Sequence, residues 1–223
     1  EGIDNQQRIE IGVQTANINS RQPNQDISVW ALQNYRWSSA RKIPKYDYVM
    51  NHNLRFEYDN NLIFEGGNEY LFFDTKDIRS AGGNVAYIRR ENLYRSILYT
   101  NFVRNKSDYT YAPDINGNFV IQTTEGFNPN TDADYTEVTF SLRSYVTNYD
   151  FYVTGLFNQH QPQPIHKLEY DSANNLHQVT IRLKQGVYNY KYIAIDSAGQ
   201  LYENGISGSY WETENEYLAL VYL

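Results

Sequence analysis

The sequence predicts an all-β protein built as two β-sandwich modules. Three observations carry that prediction. Short runs of alternating apolar and polar residues recur along the chain, clusters of Asn, Asp, Gly and Pro separate them, and no segment sustains a helical period. Composition agrees: 22 Tyr and 10 Phe stand against one Met among 223 residues, and aromatic residues suit pleated, half-buried surfaces. A chain of this length hides about 70% of its unfolded surface, so two cores form without covalent staples. The absence of cysteine removes disulfides, thiolate metal sites and cysteine nucleophiles, and leaves the compartment open.

In chain order, Arg8–Gln14 sets Ile9, Ile11 and Val13 on one face against Glu10, Gly12 and Gln14, a period of two. After the turn-forming Pro23–Asp26, Ile27–Gln33 is apolar on both faces, with Val29 and Ala31 on one and Trp30 and Leu32 on the other, which marks a central strand. Leu54–Tyr58 and Leu62–Phe64 flank Asp59-Asn60-Asn61 and are expected to form a hairpin, since Asn and Asp tolerate left-handed backbone angles. Glu69–Phe73 follows the Gly66-Gly67 break, and Asp74–Arg79 is expected to make one helical turn capped by Asp74. Val85–Arg89, Leu93–Tyr99 and Phe119–Gln122 continue as strands. Gly126–Asp132, where Gly, Pro and Asn cluster, is the strongest linker signal. With the polar stretch Asn105–Asn118 it sets the expected boundary inside 105–132, giving modules 1–118 and 119–223. Thr136–Leu142, Phe151–Leu156, Val179–Leu183, Tyr188–Ile195 and Leu218–Leu223 then supply the second module.

The formal net charge of −7 comes from interspersed residues with no basic block. Nucleic acid and anionic membrane surfaces are therefore poor partners, because both need a positive footprint. No apolar run approaches the ~20 residues of a spanning helix. The opening Glu1-Gly2-Ile3-Asp4 suggests a part of a longer precursor.

Candidate chemistry is sparse. His52, His160, His166 and His177 show no metal-ligand spacing and are expected on surfaces or loops. Asp114, Asn116, Asn118 and Glu125 imitate the two ends of a calcium loop, but Phe119 occupies the position that needs Gly, and an Asn-Gly turn feeding a strand explains the same residues. Glu212, Glu214 and Glu216 offer paired carboxylates of the kind that hydrolyse glycosidic bonds. Their alternation instead suggests the solvated face of a terminal strand or the loop leading into it. No Ser sits in a nucleophile elbow. Of the three tryptophans, Trp30 is expected in the core, with Trp37 and Trp211 as candidates for exposure. No cofactor, metal or catalytic residue is expected.

Two resemblances add to this reading. The layout from Asp150 to Ile195, a strand, the Phe157-Asn158-Gln159 corner and a strand pair around Gly186, resembles an early-set immunoglobulin-like module of the glycogen-binding kind. The corner lacks the aromatic sugar platform such modules carry, so binding to starch, glycogen or cellulose oligomers is not expected. Leu32–Trp37, Phe64–Tyr70 with Gly66, Gly67, Asn68 and Glu69, Asp114–Phe119, Ala133–Tyr135, Leu183–Tyr190, and Glu212–Tyr217 with Asn215 together resemble the type IX secretion system plug family of Bacteroidota, formerly a domain of unknown function. That resemblance implies a periplasmic, non-enzymatic protein that occludes a very large outer-membrane translocon barrel. It offers no catalytic residues and assigns no role to Trp37, Gly66–Glu69, Glu212, Glu214, Asn215, Glu216 or Tyr217. A carbohydrate-binding envelope module is the alternative function.

Overall fold

The computed structural model describes residues 5–18, 22–146 and 148–223, and within these the side chains of Pro23 and Asn24 are left out. The opening residues discussed above lie outside this set. The chain runs through β1 (Gln6–Arg8), β2 (Ile11–Gln14), α1 (Pro23–Asp26), β3 (Ser28–Gln33), β4 (Arg41–Ile43), β5 (Tyr48–Met50), β6 (Asn53–Phe56) and β7 (Ile63–Glu65). It continues as β8 (Leu71–Asp74), β9 (Val85–Arg90), β10 (Tyr94–Leu98), β11 (Asn101–Phe102), β12 (Phe119–Ile121), α2 (Pro129–Asp132), β13 (Tyr135–Arg143) and β14 (Tyr149–Thr154). It ends with β15 (Glu169–Asp171), β16 (Leu176–Lys184), β17 (Gly186–Asp196), β18 (Leu201–Tyr202) and β19 (Tyr217–Tyr222). The fold class is all-β.

Two compact units result. The first joins Glu1–Gly67 to Ser209–Leu223, and the second is Asn68–Gly208. This division replaces the expected boundary at 118/119. β8 hydrogen-bonds to β17 and β10 to β13, so a cut there would split both sheets of the second unit. The Gly126–Asp132 stretch is no linker either. Asn128 caps α2 by accepting from the Asn130 N–H, and Asp132 accepts from the N–H groups of Phe127 and Asn128. The last strand also changes module: β19 pairs with β3 over Tyr217↔Gln33 to Tyr222↔Ser28.

In the first unit three small sheets, β19-β3-β4, β2-β6-β5 and β1-β7, surround a mainly aliphatic core. Ile11 and Val13 of β2 meet Val29, Ala31, Ile43, Leu54, Phe56, Leu62 and Phe64 there. The alternation read in β2 and the central place of β3 both hold. The hairpin expected between Leu54–Tyr58 and Leu62–Phe64 does not form, because the Asp59 side chain accepts from the Asn61 N–H and starts a 3-10 turn. That turn sends β7 to β1 and leaves β6 to β2 and β5.

The second unit stacks a six-stranded sheet, β15-β16-β13-β10-β9 with β11 on β13, and a five-stranded one in which β17 pairs with β12, β14, β8 and β18. Its core is aromatic. Val138, Phe140 and Leu142 from β13 meet Tyr188, Tyr190 and Tyr192 from β17. Tyr188 lies stacked between its cross-strand neighbours Phe73 and Phe119, with centroids at 5.1 and 5.2 Å. Such pairs add roughly 0.5–1.5 kcal/mol beyond area burial. The helical turn expected at Asp74–Arg79 is absent. Asp74 accepts from the Lys76 N–H, a local turn that competes with helix formation.

Candidate functional site

Most of the motif positions singled out in the sequence converge in the first unit. Asn215, just before β19, donates through its amide to the Gln7 Oε1 (2.9 Å) and the Gly66 carbonyl (2.8 Å), and its Oδ1 accepts from the Asn34 Nδ2 (2.7 Å). Asn34 and Glu216 form a two-way pair: the Asn34 N–H donates to the Glu216 carbonyl (2.8 Å), and the Glu216 N–H to the Asn34 Oδ1 (2.9 Å). The Gly67 carbonyl accepts from the Tyr210 N–H and the Thr213 hydroxyl. Tyr217 donates to the Gln7 Oε1 at 2.5 Å and lays its ring on Phe64.

Glycine is required at both positions of the break. A Cβ on Gly66 would sit 1.9 Å from the Tyr210 carbonyl oxygen, and Gly67 has φ of 69°, where side chains are strained. The arrangement closes a polar side-chain network among β1, β7, the β3 turn and the approach to β19. Buried amides that satisfy one another this way specify a geometry. They supply no acid, base or nucleophile. Glu212, Glu214 and Glu216 are exposed in the loop leading into β19, and the Glu216 carboxylate accepts from the Tyr35 hydroxyl at 2.5 Å. Trp37 is 70% exposed and Trp211 56% exposed, while Trp30 is only half-buried.

Asn68 and Glu69 belong to the second unit. Asn68 donates to the Ser207 carbonyl and accepts from the Glu69 N–H. The Glu69 carboxylate is buried and accepts from the Tyr109 hydroxyl, and its carbonyl accepts from Arg104. Beside it, Asp114 accepts from the N–H groups of Tyr70 (2.5 Å) and Asn116 (2.6 Å). Burial, with the neighbouring Glu69 charge adding to it, pushes the Asp114 carboxyl up to about 6. These two acids fasten the 104–118 stretch that reads as a loose polar loop in sequence.

The two ends of the calcium-like pattern lie apart. Asp114 accepts from backbone N–H groups, whereas Glu125 is exposed and pairs with Arg79 at 2.7 Å. Among the described residues no three His, Asp or Glu side chains are placed to hold a metal ion. His166 lies in a connection between strands, as expected, but not at the surface. It is buried in a 3-10 turn, and burial holds its imidazole below the usual histidine range. His177 packs edge-on to Phe151.

The Phe157-Asn158-Gln159 corner faces inward. Phe157 contacts the rings of Phe140 and Tyr188, and Asn158 ties the Gly155 N–H to the Val153 carbonyl. Asn158 thus holds a tight 3-10 corner and presents no stacking face.

Sequence reasoning missed Gln7, Asn34 and Tyr109, whose roles depend on partners far away in the chain. The local signal was faint: Asn34 and Tyr35 follow a strand with φ of 52° and 56°, a conformation that favours Asn.

No protein-family model matches the chain, and a comparison with curated proteins finds no match. Among solved structures the chain is similar to a hypothetical protein from Parabacteroides merdae, with 27% identity and a TM-score of 0.87. The likeness covers 98% of this chain and 56% of that one, so the chain spans little more than half the length of that relative.

Proposed function

We propose that this chain is a non-enzymatic binding component of the Bacteroidota cell envelope, a plug of the type IX secretion translocon that works from the periplasmic side against a large outer-membrane barrel. The observation that carries this reading is the division of labour between motif and surface. The motif residues Gly66, Gly67, Asn68, Glu69, Asn215 and Tyr217 are consumed in holding the fold, while large aromatic side chains, the motif residue Trp37 among them, stand out from the turns. In the first unit Trp37 and Tyr58 are 70% and 69% exposed; in the second Tyr111 is 57% exposed.

Tyr and Trp give wide contact area at low entropic cost. On polar loops they suit a transient interface that holds a pore mouth and still releases. The likeness to a protein from a Bacteroidota species supports that lineage. The inward corner at Phe157-Asn158 speaks against a sugar module of the glycogen-binding type.

Affinity capture of the full-length protein from its native envelope tests the proposal. Recovery of a very large outer-membrane β-barrel, reduced when Trp37 and Tyr58 are changed to Ala, is the expected result. Recovery of nothing, or of unrelated soluble proteins alone, would count against it.

A further inference from the structure

The outer face of the six-stranded sheet in the second unit carries an open groove of about 800 Å³ that none of the motif positions lines. Strand register defines its surface. One cross-strand row runs Tyr87–Ile97–Thr139–Thr180, and another runs Ser141–Gln178–Glu169. The floor is made of small neutral groups. Thr139 and Ser141 are 8% and 5% exposed, and the hydroxyls of Thr139 and Thr180 bond to each other at 2.9 Å. Larger side chains rise around it: Tyr87 and Tyr99 are 46% and 62% exposed.

One end of the groove is cationic. The row Arg89–Arg95–Glu137–Arg182 sets three guanidiniums against two carboxylates, because Glu91 also pairs with Arg95 at 3.1 Å. Arg95 holds Glu137 at 2.5 Å, Arg182 stands 3.9 Å from the same carboxylate, and Arg89 lies over the Tyr87 ring. Glu169 and Asp171 line the opposite end, so an anion is drawn to the guanidinium end of the groove.

We propose that this groove binds an acidic oligosaccharide, with sugar rings against Tyr87 and Tyr99, ring hydroxyls on the Thr139, Ser141 and Gln178 floor, and a uronate carboxylate at Arg89. Hydroxyl and amide groups donate and accept alike, as sugar hydroxyls do. A guanidinium matches a carboxylate in bidentate geometry. A peptide strand is the poorer occupant, because strand addition takes place at a sheet edge, where backbone groups are open. Here the ladders on both sides of β13 consume them. The site lies away from the Phe157 corner and does not depend on the barrel partner proposed above.

Calorimetry on the full chain decides the matter, with galacturonate and alginate oligomers as probes and xylohexaose and cellohexaose as neutral comparisons. The uronate oligomers are expected to bind, more weakly as salt rises. Tyr99→Ala and Arg89→Ala should each weaken binding about tenfold, and Trp211→Ala should change nothing. Both groove residues are exposed, so circular dichroism and melting should match the parent protein. The proposal is overturned if neither uronate binds at low salt, if the neutral oligomers bind as tightly, or if binding survives both groove variants.

Discussion

The two units close their cores by different means. In the second, closure is aromatic: Tyr188, Tyr190 and Tyr192 are buried, and burial pushes their hydroxyls well above the usual tyrosine range, so they remain donors. Tyr190 and Tyr192 both donate to the Asn101 Oδ1. In the first, a smaller, mainly aliphatic core is completed by amides and backbone carbonyls around Asn215 and Gly66. The difference teaches where each unit is vulnerable. An aromatic core loses stability in proportion to the atoms removed. A polar network fails when one member leaves others buried without partners.

The largest effect is expected from Gly66→Ala. The new methyl meets the backbone of Tyr210, which cannot swing aside as a side chain does, and a loss of about 3 kcal/mol should appear in urea denaturation. Asn215→Ala follows, at about 2 kcal/mol, because the Gln7, Asn34 and Gly66 groups lose their common partner. In the aromatic unit Tyr190→Phe removes one hydroxyl while keeping the ring, and about 1 kcal/mol is expected by the same assay. If Tyr190→Phe costs more than Asn215→Ala, the contrast between the units is wrong.

Acidity sharpens the contrast further. Asp114 has its carboxyl raised from 3.8 to about 6, with burial the largest cause. Its folded form therefore holds a proton that the unfolded chain has lost. The stability this contributes is fully present below about pH 3.8 and is lost as pH rises through about 6. Partial exposure to solvent screens the effect. Glu69→Gln should lower the Asp114 midpoint, because the neighbouring charge is one of the causes of the shift. Carboxyl titration by NMR checks this, and an unchanged midpoint would discount Glu69. The smallest effect belongs to Trp37→Ala, whose exposed ring should change stability by less than about 0.5 kcal/mol. Melting curves would show it, and the same variant should weaken capture of the barrel.

Strands were legible in the sequence wherever alternation met a one-sided core, as in Ile11 and Val13 of β2. Pairing was less so. Tyr217 and Gln33 are cross-strand partners separated by most of the chain, and nothing in a local period says which sheet a terminal strand joins. Short polar side chains also redirected the backbone at Asp59 and Asp74, where they bond the N–H two residues on. Tyrosine was read as a residue with one wet face. In β17 the alternating Asn189 and Lys191 are buried along with the tyrosines, because the Asn189 Oδ1 is needed by the Ile115 and Gly117 N–H groups. The Gly66-Gly67 and Glu212–Tyr217 blocks stood out as letters, but their purpose is visible only once Gln7 and Asn34 are beside them.

The claim that these blocks hold the fold is tested most directly by hydrogen exchange on the Asn215→Ala protein. The account predicts faster exchange in β1, β3, β7 and β19, with protection in β13 and β17 unchanged. Native-like protection throughout the first unit, together with loss of a binding or catalytic activity, would contradict it and make Asn215 a functional residue.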